Sequence, residues 1–179
     1  MRLFTGKRIL LAAFLAGLLS GILYANLAAE SYLAASGIFN PFFLSQYTSI
    51  QVDKKDFLIY LMRIRLFPVI VVILSGLTRF RRAVAAGCVI WFGFLGGVLF
   101  VTTIIQMGVK GLFLSLVALF PQIAFYVFAY AVILWFLFTW PSVRWTMSKT
   151  IFVVVIFSIG ILTEVYVNPI FMKLYLNSM

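Results

Sequence analysis

The sequence predicts an all-α, polytopic integral membrane bundle of about five transmembrane helices with a cytoplasmic N-terminus, and three observations carry that prediction. Hydrophobic residues are 65% and charged residues 10% of the 179, against roughly one half and one quarter in soluble domains. Apolar blocks long enough to cross a hydrocarbon core of about 30 Å recur along the chain. The 14 Lys and Arg, set against 4 Asp and Glu, lie mostly between those blocks, where basic residues act as topology signals beside lipid headgroups. A charge of +10 in a soluble protein would suggest nucleic acid. Here no nucleic-acid partner is expected, and the bilayer is the first partner.

The whole chain, 1–179, reads as a single membrane-embedded domain with spans near 9–29, 57–78, 83–107, 111–140 and 150–167, and an extracytoplasmic segment 30–53. The first span is an uncharged run from Ile9 to Ala29 behind Arg2, Lys7 and Arg8. A cleaved signal peptide ending near Ala34-Ala35-Ser36 is the alternative, but the run exceeds the roughly 7 to 15 residues of a signal core. Asp53 and Asp56 resemble a capping box that opens the second helix, whose pattern reaches Thr78 with Pro68 as a kink. Arg63 and Arg65 interrupt it, so Lys54 to Met62 is expected to lie along or above the interface while the arginines snorkel. Gly108-Val109-Lys110-Gly111 is short enough to make an antiparallel hairpin of the third and fourth spans. Pro121 falls within the fourth, Trp140, Pro141 and Trp145 mark its interfacial end, and Asn168-Pro169 is expected to stop the fifth.

With the N-terminus inside, the inner side holds eight of the basic residues: Arg2, Lys7, Arg8, Arg79, Arg81, Arg82, Arg144 and Lys149. All four acids then fall on the outer side. The localisation implied is a cell membrane, multi-pass.

The absence of histidine and a single cysteine, Cys88, exclude an intrachain disulfide, a His or Cys metal cluster and a His-activated nucleophile. No catalytic, cofactor-binding or metal-ligating residues are expected. Asp53 and Asp56 serve as caps more naturally than as paired catalytic carboxylates, so the chain reads as non-enzymatic.

Four constellations remain. Ala13, Gly17, Gly21 and Ala25 give the first helix a small-residue face, and Gly93 and Gly97 repeat the spacing in the third; both suit close helix packing within the chain, with a homo-oligomer as the alternative use. Arg63, Arg65 and Glu164 are intramembrane charges, and Glu164 is expected to pair with one of the arginines, tying the fifth helix to the second. Phe39, Phe42, Phe43 and Tyr47 lie in the outer segment as an apolar surface for lipid or a protein partner. Thr102, Thr103, Gln106, Gln122 and Ser158 would line a pathway or simply join helices by hydrogen bonds.

The succession Asn40-Pro41-Phe42-Phe43-Leu44-Ser45-Gln46-Tyr47, Arg63-Ile64-Arg65-Leu66 and Leu74-Ser75-Gly76-Leu77-Thr78 resembles the stage II sporulation protein M family of Gram-positive spore formers. Gly93-Phe94-Leu95-Gly96-Gly97, then Gly108-Val109-Lys110-Gly111-Leu112 and Leu119-Phe120-Pro121-Gln122, are similar to the glycine-rich helix, Gly-x-Lys-Gly turn and Pro-Gln helix of its compact members. The resemblance covers about Asn40 to Leu134, and this chain departs from the pattern at Arg79-Phe80-Arg81-Arg82. It implies a polytopic scaffold in forespore engulfment that organises peptidoglycan hydrolases, the sporulation proteins D and P, at the septal membrane. The alternative expectation is a permease-like subunit working with a cytoplasmic ATPase that touches Arg79, Arg81 and Arg82.

Overall fold

The computed structural model describes residues 2–28, 53–76 and 78–178. Among them there is no strand, and five helices are long and apolar enough to cross a membrane. In chain order the helices are α1 (Arg2–Ala28), α2 (Lys54–Gly76), α3 (Arg81–Leu119), α4 (Gln122–Thr139), α5 (Met147–Leu162) and α6 (Asn168–Ser178). A π-helical turn, Thr163–Val167, joins α5 to α6.

The principal packing seam joins α1 to α3. Gly17 sits against the backbone of Ile90 and Gly21 against that of Phe94, while Gly93 and Gly97 meet the α1 backbone at Phe14 and Leu18. The partner numbers rise together, so the two helices run parallel, as first and third spans must. A Cβ at any of the four glycines would meet backbone, not a side chain that can turn aside. Ala25 is fully buried on the same face, whereas Ala13 is only half-buried.

α2 is one continuous helix through Pro68. Asp53 caps it, its Oδ1 accepting from the Lys55 N–H at 2.9 Å, which is what an N-cap aspartate supplies. Lys54 to Met62 is therefore continuous with the rest of α2 and not a separate segment; the helix's 23 residues, about 34 Å at roughly 1.5 Å each, are long enough to cross the core.

The third span and the tight turn after it stand where the sequence reading places them, and the fourth span departs from it by an interruption. Helical geometry runs from 81 to 107, breaks at Gly108 and resumes over 109–119 in the opposite direction. Gly108 has φ 61° and ψ −144°, a conformation open essentially to glycine alone. The reversal brings Gly111 against the Thr103 carbonyl, and Thr103, Leu114 and Ser115 become fully buried between the arms. The fourth span is then interrupted at Phe120, whose backbone is extended at ψ 140°, and Pro121, so α4 begins only at Gln122. The fifth span also departs from expectation: Asn168-Pro169 does not end it, because the backbone stays helical through the π turn and on to Ser178. Proline is tolerated there because the local π adjustment re-satisfies the backbone groups that its missing N–H frees.

From 109 onward the chain forms two long antiparallel arms, 109–139 and 147–178. Tyr130 meets Phe157 edge to face with centroids 6.4 Å apart, Gly160 receives the Tyr126 ring, and the Tyr175 hydroxyl donates to the Lys110 carbonyl at 3.2 Å. The main core lies where these arms meet α2 and α3, around Leu61, Val72, Ala129, Ile133 and Phe157. Basic residues and tryptophans collect at one end of the bundle: the Arg82 guanidinium donates to the Trp140 carbonyl at 3.3 Å, Arg81 lies 4.9 Å over the Trp140 ring, and Lys7 lies 5.9 Å over Trp135.

Gly17→Leu or Gly93→Leu is expected to force α1 from α3 at a cost of about 1–3 kcal/mol or more. Gly87→Leu, on an open surface of the same helix, is expected to change stability little. Unfolding in detergent of the three variants measures the contrast.

Candidate functional site

The intramembrane charges converge on Glu164. Gly76 of α2 packs against Leu137 of α4, and both helices run toward the basic end. Eleven residues earlier in each (65 against 76, 126 against 137) stand Arg65 and Tyr126. Equal offsets put the two side chains at one level, where the Arg65 guanidinium carbon lies 5.2 Å over the Tyr126 ring. That level is about 16 Å by helical rise from Gly76 and Leu137, near the midpoint of a core of roughly 30 Å.

Glu164 reaches this level from the π turn. Its Oε2 accepts from Arg65 Nε at 3.1 Å and from the Tyr126 hydroxyl at 2.5 Å, while its Oε1 accepts from Arg65 Nη2. The arginine is thus bidentate, the geometry in which a guanidinium fits a carboxylate best. The Glu164 side chain is 11% exposed and that of Arg65 42%, so the carboxylate is enclosed and the cluster opens past α2. Of the two arginines, Arg65 is the one bonded to Glu164. Arg63, two positions away on a 3.6-residue helix, faces the opposite side and is exposed.

One turn farther from the basic end a second polar group forms, again from one residue of each arm. The Asn168 amide donates to the Ala118 carbonyl at 2.8 Å and to Gln122 Oε1 at 3.1 Å, and the Val117 carbonyl lies at 3.3 Å. Pro121 has no N–H to offer Val117, and the interruption at Phe120 loosens the following turn, so these carbonyls need donors from elsewhere. Gln122 Nε2 also donates to the Ala118 carbonyl, at 2.5 Å. The break in one arm and the π turn in the other are therefore opposite one another and joined.

The other sequence candidates are placed as follows. Gly17, Gly21, Ala25, Gly93 and Gly97 form the α1–α3 seam, Gly76 receives Leu137, and Gly108 and Gly111 make the hairpin. Lys110 is exposed beside that turn. Pro121 and Gln122 form the break. The Thr102 and Thr103 hydroxyls donate back to carbonyls of their own helix at 2.9 and 3.0 Å. Phe39, Phe42, Phe43 and Tyr47 lie outside the described residues.

Tyr126 and Asn168 were not singled out as site residues from sequence. Their signal was available: Gln122 and Tyr126, like Glu164 and Asn168, are polar pairs four positions apart in otherwise apolar spans. Among the described residues no three His, Cys, Asp or Glu side chains are grouped to hold a metal ion.

No protein-family model matches this chain, and no curated protein or solved structure matches it. The fold and the Glu164 cluster define it as a multi-pass helical membrane protein with an internal ion pair.

Tyr126→Phe is expected to cost about 0.5–1.5 kcal/mol, the range of intramembrane hydrogen bonds. Glu164→Ala is expected to cost roughly 3 kcal/mol or more, because it leaves Arg65 without its counter-charge. Equilibrium unfolding in detergent, on both variants, checks the order.

Proposed function

We propose that this chain is a non-enzymatic scaffold of the cell membrane, similar to the stage II sporulation protein M family, which holds peptidoglycan-remodelling proteins at the septal membrane during engulfment. One observation carries the reading: the principal polar groups inside the bundle are engaged with one another. Arg65 and Tyr126 bond Glu164, and Asn168 and Gln122 bond the carbonyls at the helix break. Such a network favours one fixed arrangement of helices, the property a platform needs. The clustering of Lys7, Arg81 and Arg82 at one end supports a cytoplasmic N-terminus by the positive-inside rule. The extracytoplasmic hydrolases would then be met through the segment containing Phe39, Phe42, Phe43 and Tyr47.

A second reading has its own observation. Discontinuous helices within a membrane are the places where transporters bind substrates and ions, and one such break, at Phe120-Pro121, faces the π turn. A permease-like subunit would use that level as its pathway and take a cytoplasmic ATPase at Arg79, Arg81 and Arg82.

Crosslinking of a tagged copy in vegetative and sporulating membranes, followed by mass spectrometry, separates the two. The scaffold predicts sporulation-specific capture of peptidoglycan hydrolases through residues 38–50. Capture of an ATPase through the basic loops, with no hydrolase, would replace it by the permease.

A further inference from the structure

Arg63 is left over by the interactions above. It is the tenth residue of the 23 in α2, exposed on the outside of the bundle. Among the described residues it takes part in no ion pair or hydrogen bond. Arginines inside membrane spans ordinarily face the bundle interior and pair there, as Arg65 does, because a lone charge in hydrocarbon is costly. Seven residues, about 10 Å by helical rise, separate Arg63 from Asp56, the innermost charged residue at the start of α2. Snorkelling has that distance to cover.

The surface around Arg63 has the spacing of a helix-packing seam. Tyr60, Arg63, Phe67, Ile70 and Leu74 are all exposed and follow one another by steps of three, four, three and four, the a/d pattern by which one helix presents a continuous ridge to another. Arg63 is the only charge in that ridge, so the chemistry of the helix that would cover it is specified: an apolar span with one carboxylate facing Arg63.

A second copy of this chain does not supply it. Copies in one membrane share an orientation, so a twofold axis along the membrane normal places Arg63 opposite Arg63. The chain has only four acids; Glu164 is bonded to Arg65, Asp53 and Asp56 lie at the start of α2, and Glu30 follows the apolar run of the first span, in the expected extracytoplasmic segment and outside the described residues. We propose that the exposed ridge of α2 is a docking surface for a transmembrane helix of a different protein, held by an Asp or Glu of that helix paired with Arg63 inside the membrane. The inference rests on the membrane-spanning fold and not on which extracytoplasmic proteins the scaffold holds.

The test places a photoreactive phenylalanine at Phe67 or Ile70 in the full chain in its native membrane and sequences the peptide captured. The expected adduct is a transmembrane segment of another protein containing Asp or Glu. Arg63→Leu should lower its yield roughly tenfold or more, as removal of one member of a desolvated pair does, Arg63→Lys should retain most of it, and Arg63→Glu should recover it when the captured carboxylate is changed to Lys. Adducts with lipid alone, adducts with a second copy, a captured span without a carboxylate, or a yield indifferent to Arg63→Leu would each overturn the proposal. The identity of the captured span does not depend on how any Arg63 variant folds.

Discussion

A carboxylate placed near the middle of a bilayer has to be neutralised and hydrogen-bonded by its own protein, since the surrounding hydrocarbon offers neither charge nor donors. Glu164 is that group, and it draws three helices to one level. Arg65 comes from α2, Tyr126 from α4, and Glu164 itself from the turn between α5 and α6. α2 otherwise buries little of its surface, with Leu61, Val69, Val72 and Gly76 as its buried residues. Apolar contact alone is a weak reason for a helix to leave lipid for a bundle, because lipid tails are as apolar as leucine. The ion pair gives α2 a register and a rotation as well as a neighbour.

The same scarcity of solvent explains why the two irregular stretches of the long arms lie side by side. Interrupting a helix in a membrane frees carbonyls that water will not satisfy. At Phe120-Pro121 they are met by the amides of Asn168 and Gln122, and Asn168 is brought there by the π turn that also carries Glu164. One extra residue per turn in that arm changes the rotation between Glu164 and Asn168, so each addresses its own partner across the seam. The glycine contacts between α1 and α3 are of another kind: they require only the absence of side chains, and they let two backbones approach.

How much of this was legible follows from which interactions leave a one-dimensional trace. Small residues every fourth position announce a seam, and Gly17, Gly21, Gly93 and Gly97 were visible as such. A charge in an apolar run is equally visible, so Arg65 and Glu164 were candidates together with Arg63, and helical phase about one axis does not say which arginine faces the partner. Gly108 was legible because turns of that length need glycine. The interruption at Phe120 and the helix beyond Asn168-Pro169 were not. Pro121 reads equally as a kink or a restart, and Pro169 reads as a stop until the donors that make a continuation affordable are known to be opposite it. Tyr126 was hidden among aromatic residues that serve as apolar bulk.

The most direct test of the central claim is a double-mutant cycle on Arg65→Glu and Glu164→Arg, read as the folded fraction in membranes and as unfolding free energy in detergent. Each reversal alone places two like charges together and is expected to lose the folded state. The double reversal is expected to regain most of it, with a coupling of roughly 2 kcal/mol or more. Single reversals that fold normally, or a double reversal no better than the sum of its parts, would contradict the account of the bundle as one organised around Glu164.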